Sequence, residues 1–209
     1  MNSKVTHINV GNLAENCWFL ANEDTKEAVV IDPGAEPDRI CAAAEKHGWK
    51  ITAILLTHGH IDHMGACESL RTELGVKVYA LTEEEDLLLD AKKNLSVFIE
   101  RKVVTFEPDE LLRDGQELTL ADMKIQVIHT PGHTPGGCSY YVADAGCVFS
   151  GDTLFAESVG RSDFPGGSTS ALVRAVKEKL FLLPDDTLVC PGHGEETTIG
   201  HEKKYNPFV

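Results

Sequence analysis

Short apolar runs separated by turn residues fill the beginning of the chain. Residues 4–10, 16–21 and 27–32 are rich in apolar and β-branched residues, and the residues between them include Gly, Asn and Asp. This pattern predicts three short strands in an antiparallel meander. Two further apolar runs, at 51–56 and 76–80, have the length of a strand and predict two more.

Other segments repeat their apolar residues with the period of a helix. The spacing predicts helices over 37–47, 64–74, 83–94 and 170–182. Short apolar runs then predict strands at 117–120, 124–129, 138–143, 147–150 and 187–190. Two groups of strands with helices between and after them predict an α/β (α+β) fold, in which two sheets pack together under outer helices. We expect one domain over residues 1–209, because no linker, low-complexity segment or clear repeat interrupts the chain.

Residues able to bind metal ions are concentrated directly after the predicted strand at 51–56. Three histidines and one aspartate, His58, His60, Asp62 and His63, lie within six positions. Imidazole and carboxylate groups are the usual protein ligands of zinc and of non-haem iron. In extended backbone His58 and His60 can point the same way, whereas the adjacent Asp62 and His63 are expected to diverge. This arrangement suits two metal ions better than one.

Three later loops repeat this arrangement. Each follows an apolar run that ends in Gly or Pro, and they carry His133, Asp152 and His193. Pro-Gly-His occurs twice, at 131–133 and 191–193. Glycine lets the backbone pass close to a metal site, and proline fixes the loop. Four strand ends therefore deliver seven candidate ligands, which makes coincidence an inadequate explanation.

Composition and charge exclude several other classes of protein. The formal net charge of −14 argues against nucleic acid or an anionic membrane as a partner. No apolar run is long enough to span a bilayer, and the first residues lack the apolar core of a signal peptide. The six cysteines are scattered singly, so we expect them to be reduced and mostly buried. Together these features indicate a cytoplasmic protein.

The candidate ligands predict a hydrolytic site. Two metal ions about 3.5–4 Å apart can be bridged by one carboxylate and one hydroxide, and metal binding lowers the pKa of that water to about 7. The ions also polarise a substrate carbonyl, so the site needs no Ser or Cys nucleophile. A thiolate, whose parent thiol has a pKa of about 8.5, departs without much help from an acid. Thioesters are therefore suitable substrates, and esters, lactones and amides are not excluded.

The complete ligand set resembles that of the metallo-β-lactamase superfamily. The motif His-x-His-x-Asp-His at 58–63 is followed by His133, Asp152 and His193, and the likeness extends over nearly the whole chain. The resemblance implies a four-layer αββα sandwich with two divalent metal ions at one edge of the sheets. It assigns His58, His60 and His133 to the first ion, Asp62, His63 and His193 to the second, and Asp152 to both as a bridge. Zinc is favoured, although iron and manganese accept the same ligands.

Three motifs are most similar to the glyoxalase II (hydroxyacylglutathione hydrolase) branch of that superfamily. They are Thr-Pro-Gly-His-Thr-Pro-Gly-Gly at 130–137, Ser-Gly-Asp-Thr-Leu-Phe at 150–155 and Gly-Arg-Ser-Asp-Phe-Pro at 160–165. The chain resembles the short bacterial form, which lacks the C-terminal helical domain that supplies basic residues to glutathione.

The glyoxalase II resemblance implies a small-molecule substrate, S-lactoylglutathione or a similar acyl-thioester, cleaved by a metal-bridging hydroxide. The catalytic residues would be Asp62, which orients the hydroxide, and Asp152. Arg161 follows Asp152 in a loop and either contacts a substrate carboxylate or forms a structural pair with Asp163. The sequence gives no indication of the oligomeric state.

Other activities remain open within the same superfamily. Persulfide dioxygenases are similar too, and they bind one iron through the equivalents of His58, His133 and Asp152. A lactone or ester hydrolase would keep all seven ligands. The end of the chain favours a hydrolase, because 191–194 followed by 197–200 resembles that branch. Class B β-lactamases, which lack the bridging aspartate and are exported, are not expected to resemble this sequence.

Overall fold

The first of two six-stranded sheets is built from the N-terminal half of the chain in a computed structural model that describes residues 2–209. Its strands are β1 (Ser3–Val10), β2 (Glu15–Asn22), β3 (Glu27–Ile31), β4 (Lys50–Leu55), β5 (Lys77–Leu81) and β6 (Glu110–Leu112), in that order across the sheet. The first three strands pair antiparallel, as the meander prediction requires. The pairs from β3 to β6 are parallel.

The second sheet is built from the C-terminal half. Its strands lie in the order β14 (Thr197–Thr198), β13 (Leu188–Pro191), β10 (Cys147–Gly151), β9 (Cys138–Val142), β8 (Met123–His129) and β7 (Glu117–Leu120). A small hairpin of β11 (Leu154–Phe155) and β12 (Ser158–Val159) follows β10. The parallel pair of β10 and β13 requires the long crossover that runs between them.

Helices cover the outer faces of both sheets. They are α1 (Pro37–His47), α2 (Ile61–Met64), α3 (Cys67–Leu74), α4 (Glu85–Leu88), α5 (Ser96–Ile99), α6 (Thr169–Glu178) and α7 (Ile199–Tyr205), with single 3-10 turns at 82–84, 143–145 and 180–182. Within residues 2–209 no helix has both the length and the apolar character needed to cross a membrane.

The alternation of side chains along the strands produces three buried layers. In β2, Phe19 packs with residues of α1 and α3 on the outer face, whereas Trp18 and Leu20 enter the layer between the two sheets. On the far side of the second sheet, Val148 and Val189 pack against α6 and α7. The arrangement is the four-layer αββα sandwich in one domain, which confirms the predicted fold class.

Three predicted helices are shorter or interrupted. The segment 170–182 is helical in α6 only as far as Glu178, and a 3-10 turn then covers 180–182. The segment 64–74 contains α3, but the helical turn α2 begins before it at Ile61. The segment 83–94 is helical only as far as Leu88, because polar side chains compete with the helix beyond that point. Asp90 accepts hydrogen bonds from the backbone of Lys92 and Lys93 instead.

The cysteines are free and mostly buried, as predicted. All six fall within the described residues and none forms a disulfide. Only Cys41 is partly exposed, and the other five lie in the layers described above.

Candidate metal centre

Four strand ends meet at one edge of the two sheets, as the sequence predicts. The loop after β4 carries residues 58–63, and the loops after β8, β10 and β13 carry His133, Asp152 and His193. Six of the seven candidate ligands form two groups, within each of which the ligand atoms lie within 4.8 Å of one another. The first group is His58, His60 and His133, and the second is Asp62, His63 and His193.

The three-histidine group is buried, and its ring nitrogens converge. His60 Nδ1 and His133 Nε2 are 2.9 Å apart. His133 Nδ1 donates a hydrogen bond of 2.7 Å to the Arg161 carbonyl, which leaves the lone pair on Nε2. Burial lowers the pKa of His58, and burial together with the neighbouring His133 lowers the pKa of His60 to about 3. His58 and His60 are therefore neutral at pH 7, in the form that binds metal ions.

The second group combines two histidines with a carboxylate. Asp62 Oδ2 is 3.3 Å from His193 Nε2 and 3.9 Å from His63 Nε2. The expectation that Asp62 and His63 diverge is wrong, because both lie in the single helical turn α2 rather than in extended backbone. Although burial opposes ionisation, His63 and His193 hold the pKa of the Asp62 carboxyl well below its usual range. The side chain of His193 is 27% exposed, so solvent reaches the centre from this side.

Asp152 lies between the two groups. Its Oδ2 is 3.5 Å from His133 Nε2 and 3.8 Å from His193 Nε2. Its Oδ1 is 3.5 Å from His63 Nε2. A carboxylate in this position can reach an ion held by either group.

The donor set fits bound metal ions. Three buried atoms of these residues, His58 Nε2, His63 Nε2 and Asp152 Oδ1, have no hydrogen-bond partner within residues 2–209. Leaving buried polar atoms without partners is costly, so such atoms call for an explanation. Imidazole nitrogen and carboxylate oxygen are ligands of zinc, iron and manganese, which would give all three atoms a partner.

Asp32 is a functional residue that the sequence pattern did not indicate. Its Oδ1 accepts a hydrogen bond of 2.7 Å from the Thr57 backbone, and its Oδ2 accepts one of 2.5 Å from the Thr57 hydroxyl. Asp32 Oδ2 also lies 3.0 Å from His63 Nδ1, which donates to it and leaves Nε2 facing the centre. Asp32, His58 and His63 are also close enough to hold an ion, but these hydrogen bonds already use both oxygens of Asp32.

A second unpredicted carboxyl, Glu15, lies against His63. It is fully buried, and its Oε1 is 3.9 Å from His63 Nδ1. Burial raises the pKa of Glu15 well above its usual range, although His63 opposes this. Burial also opposes a proton on His63, but Asp152, Asp62 and Asp32 together raise the pKa of that imidazole. His63 therefore lies in anionic surroundings, unlike the three-histidine group.

Arg161 lies at the rim of the centre, with its side chain directed away from the ligands. Its guanidinium makes two hydrogen bonds of 2.9 Å to Asp163 and lies 4.4 Å from the centre of the Phe164 ring. The Phe164 ring in turn packs 5.3 Å from His60 and 6.0 Å from His133. Only the carbonyl of Arg161 contacts a candidate ligand.

Comparison with known proteins identifies close relatives over almost the full length of the chain. A family model described as the Metallo-beta-lactamase superfamily matches residues 10–193. The chain is 40% identical over 201 residues to the "Probable metallo-hydrolase YqgX" of Bacillus subtilis, which covers 96% of this chain and 94% of that protein. It is 36% identical over 197 residues to the "Hydroxyacylglutathione hydrolase GloC" of Haemophilus influenzae, with coverage of 93% and 92%. The latter supports the resemblance to the short glyoxalase II-like form.

Solved structures also include relatives over almost the full length of the chain. The B3 metallo-beta-lactamase BLEG-1 is 39% identical with a TM-score of 0.93, and the match covers 98% of this chain and 99% of that one. TTHA1623, solved in a di-iron-bound form, is 37% identical with a TM-score of 0.86, and the match covers 98% and 100%. The expectation that class B β-lactamases do not resemble this sequence is wrong for BLEG-1, whose name includes that class. The chain thus belongs to the metallo-beta-lactamase superfamily, as a metal-dependent hydrolase.

Proposed function

We propose that the chain is a binuclear thioesterase of the glyoxalase II type, which cleaves S-lactoylglutathione or a similar acyl-thioester. The observation that supports this proposal is the position of Asp152, within 3.8 Å of ligand atoms from both groups. A carboxylate placed in this way suits a pair of ions rather than one. The likeness to GloC supports a thioester substrate.

The proposed ligands of the two ions are the two groups described above, together with Asp152. His58, His60 and His133 would hold the first ion, Asp62, His63 and His193 would hold the second, and Asp152 would be shared. Zinc is the favoured metal, with iron and manganese as alternatives, and the di-iron form of TTHA1623 makes iron the alternative to test first. Two ions bound here would supply a hydroxide nucleophile at neutral pH and would polarise the carbonyl of the substrate.

The chain itself supplies orientation and charge. Asp62 remains a carboxylate at neutral pH, so in this proposal it accepts a hydrogen bond from the nucleophile and orients it. Asp32 and the Arg161 carbonyl hold the rings of His63 and His133 through the nitrogens that face away from the centre. No acid is required for the leaving group, since a thiolate departs readily near neutral pH.

Substrate binding is assigned to the rim on which Arg161 lies. The Arg161 side chain is 67% exposed and is already paired with Asp163. In the substrate-bound form we propose that the guanidinium leaves Asp163 and contacts a carboxylate of the substrate. The alternative is that the pair is permanent and has only a structural role.

The expected surroundings of the protein follow from its charge and cysteines. A net charge of −14 favours a small-molecule partner over nucleic acid or an anionic membrane. Six cysteines without a disulfide favour the reducing cytoplasm. We therefore propose a cytoplasmic enzyme that acts on a soluble thioester.

One other activity has support from a solved structure, and two more remain open from the sequence. The likeness to BLEG-1 makes hydrolysis of a β-lactam amide a second candidate. A dioxygenase that acts on persulfides with a single iron would use only His58, His133 and Asp152. Lactone and ester hydrolysis would use the same site as the thioesterase.

A single comparison of substrates tests these alternatives. The protein, loaded in turn with zinc, iron or manganese, is assayed with S-lactoylglutathione, a chromogenic cephalosporin, a lactone, and glutathione persulfide with oxygen. Asp152→Ala measures the background in every assay. We expect kcat/KM to be highest for the thioester and to fall to background in the variant. Faster cleavage of the cephalosporin, or oxygen consumption by protein holding one iron, would replace the thioesterase with the corresponding alternative.

A further inference from the structure

Glu84 is a buried carboxyl outside the metal ligands that contacts both loops of the three-histidine group. It lies at the end of the 3-10 turn before α4, and its side chain is 1% exposed. Its Oε1 accepts a hydrogen bond of 2.8 Å from the backbone N–H of Gly59. Its Oε2 accepts another of 2.8 Å from the backbone N–H of Gly136. One side chain therefore joins two segments that are 77 positions apart in the sequence (136 minus 59).

The two amides belong to the loops that carry the first group. Gly59 lies between His58 and His60, and Gly136 lies three positions after His133. Cys138 N–H donates to the Thr57 carbonyl at 2.8 Å, so the bases of the loops are also joined directly. Glu84 makes its contacts further along the loops, next to the ligands themselves.

Both amides approach this segment closely only because they belong to glycines. A Cβ on Gly136 would lie 2.1 Å from the Glu84 backbone nitrogen, and a Cβ on Gly59 would lie 2.7 Å from the Leu88 side chain. The contact at Gly136 is with backbone atoms, so a side chain there would displace the loop, whereas a side chain at Gly59 would first displace the Leu88 side chain. The fold thus brings both loops against one carboxyl.

We propose that Glu84 is a positioning residue, which fixes the loop of His58 and His60 relative to the loop of His133 so that the three imidazoles converge. It touches neither ligand nor substrate and acts through Gly59 and Gly136. This inference rests on the ligands of the proposed function but not on its substrate. Burial raises the pKa of Glu84 to about 7, while the bonds from Gly59 and Gly136 oppose this rise, so at pH 8 the group is mostly a carboxylate that accepts both bonds.

The test is the substitution Glu84→Gln, with Glu83→Gln as its matched control. Glutamine keeps the shape of the side chain but replaces one acceptor oxygen with an NH2 group, so one backbone N–H loses its acceptor. Glu83 is the neighbouring residue and is exposed, so the same chemical change there removes neither bond. The affinities for the first and for the second zinc ion are measured separately, at pH 8, by competition with a chelator.

We expect Glu84→Gln to weaken one binding step about 10- to 100-fold, the range typical for residues that orient metal ligands, and to leave the other step unchanged. Asp32→Asn, which acts directly on His63 and only through Thr57 on His58, should weaken the other step more than this one. Glu83→Gln should change neither. In the metal-free protein, hydrogen exchange should accelerate at Gly59 and Gly136 and not in the strands of either sheet.

Several outcomes would overturn the proposal. Unchanged affinities in Glu84→Gln would show that the two bonds do not position the ligands, and equal weakening of both steps would show a general effect on the fold. If Glu84→Gln does not fold, Glu84→Asp provides the same measurement with the charge retained and a shorter reach. Failure of both variants to fold would assign Glu84 to stability alone. Wild-type protein that binds fewer than two ions would instead refute the proposed function.

Discussion

The two ligand groups on either side of Asp152 differ in charge and in how they are supported. The three-histidine group contains no carboxylate, and its rings contact neutral partners, such as the Thr57 hydroxyl at His58 and the Arg161 carbonyl at His133. The second group contains Asp62, and its His63 lies against the carboxyls of Asp32 and Glu15. Burial acts on both groups, yet the pKa of His58 is lowered and that of His63 is raised.

This difference indicates what would hold an ion at each position under the proposed function. In the first group neutral rings would bind the ion, and the loops must keep those rings together. In the second group buried negative charge would attract the ion, and Asp32 orients the His63 ring. Substitutions should therefore affect the two groups separately, except at the residue that both groups share.

Loss of Asp152, the residue that both groups share, should affect both groups and have the largest effect. We expect Asp152→Ala to weaken both binding steps and to lower kcat/KM by more than about 100-fold, the upper end of the loss for an outer partner of a metal ligand. Metal content after dialysis and the thioesterase assay measure the two effects. Asp144→Ala, an exposed aspartate in the 3-10 turn before β10, is the control. Two retained ions with wild-type kcat/KM would exclude a bridging role.

A substitution at Asp32 should affect the second group more than the first, because Asp32 contacts His63 directly and reaches His58 only through Thr57. Asparagine at this position cannot accept hydrogen bonds with both terminal atoms, so His63 loses its charged partner. We expect the affinity of one binding step to fall about 10- to 100-fold while the other falls several-fold less. Asp38→Asn, an exposed aspartate of α1, should change neither. A similar loss in both steps would show that the two groups are not independent.

The pH dependence of the unfolding free energy should reveal the titration of Glu84, whose carboxyl contacts the loops of the three-histidine group. Its pKa is raised from 4.5 to about 7 by burial, so between these values the folded protein holds a proton that the unfolded chain releases. The contribution of this proton to the free energy of unfolding is therefore fully present below pH 4.5 and is lost as the pH rises through about 7. Burial keeps the nearby Cys138 thiol and Tyr140 hydroxyl neutral throughout, since it raises the pKa of both.

We expect the unfolding free energy of the metal-free protein to fall between pH 5 and pH 8 by about 2–3 kcal/mol more in the wild type than in Glu84→Gln. Urea unfolding at the two pH values measures this difference, and other titrating groups cancel in the comparison. Glu83→Gln, the exposed neighbour, should behave as the wild type does. Parallel pH profiles for wild type and Glu84→Gln would contradict the assignment.

The smallest effect is expected at Arg161, which supports the first group only through its carbonyl. Arg161→Ala keeps that carbonyl, so both metal affinities should be unchanged. If the guanidinium contacts a carboxylate of the substrate, KM should rise about 3- to 10-fold with little change in kcat. Asp163→Ala, which frees the guanidinium, should lower KM. Unchanged KM in both variants would favour the purely structural pair.

The fold class and the meeting of the seven candidate residues could be predicted from the sequence because both depend on local patterns. Apolar runs with the period of a strand set the layers, and each candidate ligand follows such a run directly. Asp32 carries the same signal, since it follows β3 and precedes Pro33. No histidine accompanies it in the sequence, so the local pattern does not distinguish Asp32 from an ordinary turn residue.

Other features depend on contacts between distant segments and leave no local trace. Glu15 lies at the start of a strand, and Glu84 lies in an acidic stretch that resembles an exposed first turn of a helix. Their burial is decided by the loops that pack on them. The end of the predicted helix at 83–94 also involves a distant segment, because the Asn94 side chain donates a hydrogen bond to the carbonyl of Val104.

The order of the ligands along the chain has a consequence for synthesis. Four of the seven candidates are contained in residues 58–63, whereas His193 follows His58 by 135 positions (193 minus 58). At about 5–20 residues per second, a ribosome exposes the first segment for roughly ten seconds before the last ligand appears. Residues 58–63 hold only two ligands of each group, and the groups are completed by His133 and His193. Neither proposed ion can therefore meet its full set of ligands until the second sheet has folded against the first.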